Sequence, residues 1–69
     1  MKLHYYSDTD SLYIELKSSS STNSKEVADG VVMDFDENGD FVGIDIQHAS
    51  KKLDLTTVET SSLPVKQAR

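Results

Sequence analysis

The sequence predicts a mainly β (α+β) domain: an antiparallel β-meander of about five strands, a short C-terminal helix and a flexible tail. Three observations predict it. Leu12, Ile14 and Leu16 alternate with Tyr13, Glu15 and Lys17, the period-two pattern of a strand with one buried face. Asn38-Gly39 separates two further apolar-rich runs, the strongest short-range hairpin signal. Alternation then stops after Ile46. The expected division is one small domain over 1–53 and a polar tail over 54–69.

Taken in order, Leu3-His4-Tyr5-Tyr6 supplies a first strand and Ser7 to Ser11 a turn, since short polar side chains bond locally to backbone. Leu12 to Leu16 returns as the second strand. Lys17 to Ser24 is a serine-rich connector whose hydroxyls compete with regular backbone pairing. Lys25 to Ala28 is a short strand ending at Asp29-Gly30, where glycine permits a turn or bulge. Val31 to Asp36 and Phe41 to Ile46 form the central hairpin. A two-residue Asn38-Gly39 turn sets Phe35 against Val42, Met33 against Ile44 and Val31 against Ile46, and a four-residue loop from Glu37 to Asp40 gives the same pairs, so the turn type stays open. All three pairs share a face, whereas a one-residue slip mixes polar and apolar side chains on both. Gln47 to Leu53 is a short helix that must dock through Ala49 and Leu53 to persist. Leu55-Thr56-Thr57-Val58 offers a further strand, and Glu59 to Arg69, with Pro64, has few anchors.

The chain has 69 residues, 36% of them hydrophobic and none cysteine. A domain of this length buries only about 60% of its unfolded surface, and no disulfide or thiolate metal site supplements the core. Self-association is a ready source of added stability. Twelve acidic residues against seven basic ones give a net charge of -5. Nucleic acid requires a basic stripe, and the only adjacent basic pair is Lys51-Lys52. Anionic membrane is disfavoured for the same reason. No run approaches the roughly 20 apolar residues of a spanning helix, and the polar start Met1-Lys2-Leu3-His4 does not read as a secretory leader. A cytoplasmic protein is expected.

Few motifs carry chemistry. Asp34-Phe35-Asp36-Glu37-Asn38-Gly39 followed at Asp45 matches the spacing of an EF-hand calcium loop. Its upstream flank lacks a helical stripe, and Asp45 is short for bidentate closure. The hairpin instead puts Asp34, Asp36 and Asp45 on the face opposite the core, with Val32 and Phe41 among them. These carboxylates suit either a basic partner or a weak divalent cation. His4 and His48 fall into no metal-ligand spacing, no nucleophile elbow or catalytic triad is visible, and Gly30, Gly39 and Gly43 are too far apart to cradle phosphate. Tyr5, Tyr6 and Tyr13 lack the surrounding positive charge of a nucleic-acid stacking platform. No catalytic, cofactor-binding or metal-ligating residue is assigned.

The ordered set Met1 to Tyr5, Asp10 to Leu16, Glu26 to Asp36, Gly39 to Ile46 and Ala49 to Lys51 resembles the small bacterial proteins of domain-of-unknown-function family 2283. The likeness runs from Met1 to Leu53, with Tyr6-Ser7 standing where such proteins often have Asp-Pro. It implies a small β-rich fold with no established activity or cofactor, so no functional residue carries over. Family members encoded beside toxin-like proteins imply an antitoxin-like partner role. The expectation is therefore a non-catalytic protein-interaction module whose Asp34/Asp36/Asp45 face meets a basic toxin-like protein. Self-association is expected through the apolar face or a sheet edge. The alternative is a weak divalent-metal or small-ligand binder using those carboxylates.

Overall fold

The computed structural model describes residues 1–64. Five strands, β1 (Lys2–Tyr6), β2 (Ser11–Glu15), β3 (Asn23–Ala28), β4 (Val31–Phe35) and β5 (Phe41–Ile46), are followed by one helical turn, α1 (Ala49–Lys52). They form a single antiparallel sheet, as the periodicity predicts. The spatial order, β1-β2-β5-β4-β3, is not a simple meander. Only β3, β4 and β5 run as one. The β1–β2 hairpin lies against them through β2 and β5, and the serine connector spans the end of the sheet from β2 to β3, a Greek-key arrangement.

The central hairpin keeps the predicted pairs Met33–Ile44 and Val31–Ile46. Phe35, however, faces Phe41 rather than Val42. The loop is three residues long, neither two nor four. The Gly39 N–H donates to the Asp36 carbonyl at 3.0 Å, the Asp36 N–H donates to the Asp40 carbonyl at 3.0 Å, and Gly39 sits at φ 81°. This is a turn closed by a left-handed glycine. One extra loop residue would flip every side chain beyond it; the bulge at Val42 takes up that residue and restores the register. The same bulge brings Phe41 beside Phe35, with ring centroids 5.5 Å apart, rather than among the carboxylates. A second bulge at Val27 precedes the Asp29-Gly30 turn, where Gly30 adopts φ 71°.

Registers across β1, β2, β5 and β4 place Leu3, Tyr5, Leu12, Ile14, Val31, Met33, Ile44 and Ile46 on one face. Leu12, Ile46 and the wholly buried Ala49 form its centre, with Ile14, Val31, Ile44 and Leu55 against them. The helix is shorter than predicted, because Gln47 and His48 form the approach to it and His48 holds a left-handed φ of 53°. Leu55 to Val58 forms no strand, and neither helix nor strand is found from Leu53 to Pro64. The last five tail positions, 65–69, lie outside the described residues. No helix among the described residues is long and apolar enough to cross a membrane.

Candidate interaction surface

Two turns hold the segment after β5 over one end of the apolar face. Asp10, itself left-handed at φ 53°, accepts the Ala49 N–H on its carbonyl at 2.8 Å. Its carboxylate accepts the Ser50 hydroxyl at 2.7 Å, the Ser50 N–H at 3.1 Å and the Tyr5 hydroxyl at 2.8 Å. The bonds from Ser50 and then Tyr5 stabilise the charged form and hold the Asp10 carboxyl below its ordinary range. The bond to Asp10 raises the Tyr5 phenol. From the other turn, the Gly30 carbonyl accepts the Gln47 N–H at 2.8 Å, and the Asp29 carbonyl accepts Lys52 Nζ at 2.7 Å.

That lid is short. Beside it an apolar groove of about 650 Å³ runs between β1, β2 and the chain after the helix, lined chiefly by Leu3, Tyr5, Leu12, Leu53, Leu55 and Val58. Leu3 is 52% exposed, Tyr5 48% and Val58 73%. Contiguous exposed apolar surface of this kind marks contact sites more often than scattered single residues do. The sequence anticipates an uncovered face and the docking of Leu53 on it, though from a helix, but not the lining by Val58, which it places in a strand.

The opposite face carries a belt of polar contacts. Tyr13 crosses Gly43 to donate its hydroxyl to Asp34 Oδ2 at 3.0 Å, and Ser24 donates to Asp34 Oδ1 at 2.7 Å. A Cβ at Gly43 would lie 2.0 Å from the Tyr13 hydroxyl oxygen, so the ring occupies the space this glycine leaves open. Burial, and secondarily the bond to Asp34, raises the Tyr13 phenol. Asp36 is elsewhere, in the β4–β5 loop. It pairs with Lys17 Nζ at 3.0 Å and accepts the Asn38 and Asp40 N–H groups at 2.9 and 3.0 Å. Lys17 foremost, then the Asp40 N–H, holds its carboxyl low, and Asp36 in turn raises the Lys17 ammonium. Asp45 stands on the belt face between Tyr13 and Val32. Asp34 and Asp45 thus share the belt face as expected, whereas Asp36 is engaged with Lys17 and its own loop. Among the described residues, no three His, Asp or Glu side chains are grouped as a cation site. His4 pairs with Tyr13 across the first hairpin, and His48 is exposed at the start of α1.

Comparison with known proteins agrees with this sheet's sequence pattern. Residues 2–50 match the family model described as a protein of unknown function, DUF2283. The chain belongs to this family. The DUF2283 match ends at Ser50, within the helical turn, and so includes every strand. A relative, the uncharacterized protein MJ0789 of Methanocaldococcus jannaschii, is 39% identical over 51 residues, covering 74% of this chain and 43% of the relative. The chain thus spans under half the length of that curated relative. No solved structure matches.

Proposed function

We propose that this DUF2283 chain is a non-catalytic protein-interaction module of the cytoplasm that receives an apolar segment of a partner protein in its groove. The observation that supports this reading is the incomplete cover of the apolar face: one helical turn seals Ala49 and Leu12, while Leu3, Tyr5 and Val58 stay open to solvent. An antitoxin-like role, with a basic toxin-like partner on the acidic face, is the sharper version. It draws its support from the net charge of -5 and from Asp45, which accepts no side-chain hydrogen bond from a described residue. Divalent-metal or small-ligand binding has less support, because Asp34 and Asp36 are engaged with Tyr13, Ser24 and Lys17.

Co-expression with the product of the neighbouring gene tests the module. The expected result is a complex retained at micromolar concentration and weakened about tenfold or more by Val58→Asp, a change at an exposed site. No complex, or one indifferent to Val58→Asp, refutes it. A calcium titration followed by NMR is expected to leave the Asp34 to Asp45 resonances in place.

A further inference from the structure

The two edges of the sheet differ. Strand β3 is guarded: it carries a bulge at Val27, Lys25 and Glu26 along its length, and all six residues are exposed. Bulges and charged side chains are the usual means by which an edge avoids pairing with another chain. Strand β1 is guarded far less. Its five residues pair regularly with β2, without bulge, proline or glycine, and its only formally charged side chain is Lys2 at the start.

We infer that β1 pairs antiparallel with β1 of a second copy, making a two-fold dimer with one continuous ten-stranded sheet. The inference deepens the interaction-module reading by naming a partner for the groove side of the molecule.

Register and charge both support a second copy. A two-fold axis through His4 uses every residue of β1: Lys2 meets the partner's Tyr6, and Leu3 meets the partner's Tyr5. Residues of equal parity then oppose one another, so the two apolar faces join on one side. A one-residue slip would set Leu3 against the partner's His4 and break that continuity. Leu3 and Tyr5 are the half-exposed apolar residues at the groove's outer wall, so their pairing in duplicate covers surface the single chain leaves wet. Copies of net charge -5 repel one another, yet Met1 to Ser7 contains Lys2 and no acidic residue. Two such molecules meeting through that segment bring no carboxylates of the strand face to face.

Two matched substitutions test the pairing. Leu3 and Val27 are 52% and 50% exposed on opposite edges, so Leu3→Lys and Val27→Lys add the same charge at equivalent sites. Sedimentation equilibrium of the full chain is expected to give a dimer that Leu3→Lys weakens about tenfold or more and Val27→Lys leaves unchanged. Because the chain lacks cysteine, His4→Cys provides a second measurement that tolerates a poorly folding lysine variant. Directly opposed strand residues lie within reach of a disulfide, so mild oxidation is expected to yield a covalent dimer, and Val27→Cys is expected to yield none. A wild-type monomer up to millimolar concentration overturns the inference. So does a dimer that Val27→Lys breaks, or the absence of His4→Cys cross-linking. These outcomes leave the neighbouring-gene experiment standing, and failure of that experiment leaves the dimer standing.

Discussion

Replacing Gly43 by alanine tests the belt across the polar face. The new Cβ would sit 2.0 Å from the Tyr13 hydroxyl oxygen, 2.4 Å from Cζ and 3.1 Å from Cε1. A rigid ring cannot yield at all three atoms without swinging away, which breaks the bond to Asp34. A hydrogen bond to a charged acceptor contributes about 1.5–3 kcal/mol, and the 3.0 Å separation is long for a hydroxyl donor, so the lower end applies. Losing the cross-strand packing of the ring adds roughly 0.2–1 kcal/mol. Against this, alanine restricts the unfolded chain and returns about 0.4–1 kcal/mol where the backbone permits it, and Gly43 holds no positive φ. The net loss is about 1–2 kcal/mol. A domain of this size should then melt roughly 4–8 °C lower per kcal/mol. Urea unfolding of a double-mutant cycle with Tyr13→Ala measures it. With the ring gone, Gly43→Ala should become neutral or stabilising. An equal loss in both backgrounds would refute the idea that the ring makes glycine necessary here.

Three further outcomes are expected. Because Asp10 and Asp36 have lowered carboxyl pKa values, their stabilisation is present above the unfolded-state pKa of about 4 and is lost as pH falls through the folded values; Asp10→Asn should flatten this acid limb in pH-dependent urea melts. The Tyr5 and Tyr13 phenols are raised, so their contribution is complete below about pH 10 and disappears as pH rises through the folded values, which Tyr13→Phe should diminish in alkaline unfolding. Gly30→Ala should cost about 1–2 kcal/mol in chemical denaturation, because φ 71° is left-handed and the added Cβ would lie 2.6 Å from Lys52 Nζ.

The sequence makes strand faces legible more readily than strand neighbours. Alternation at Val31, Met33, Ile44 and Ile46, together with Asn38-Gly39, leads to the observed central pairs because a half-buried sheet tolerates no odd slip. The same alternation cannot say which strand lies beside β2, since Val31 and Ile46 present the same apolar pattern. Phe41 was misplaced because the loop and the Val42 bulge each shift the register by one and cancel beyond it. The Leu55 to Val58 segment has suitable strand residues, but residue preference does not by itself create a hydrogen-bonded neighbour. Two site features had usable signals. A glycine inside a strand, as at Gly43, often marks the close approach of another group. An aspartate before a strand, as at Asp10, tolerates the left-handed conformation that turns its carboxylate toward Ser50.

The seam between β2 and β5 also bears on how the chain reaches its native state. Each of the other three strand pairings joins sequence neighbours through a loop of two to five residues, whereas Leu12 must find Ile46. Closing that larger circuit loses more chain entropy before any contact compensates for it. Local hairpins therefore form early and the seam last, so mutations in the Asn38-Gly39 turn should slow folding. Lengthening the serine connector should be cheap by comparison, because doubling a flexible loop costs only about 0.6 kcal/mol.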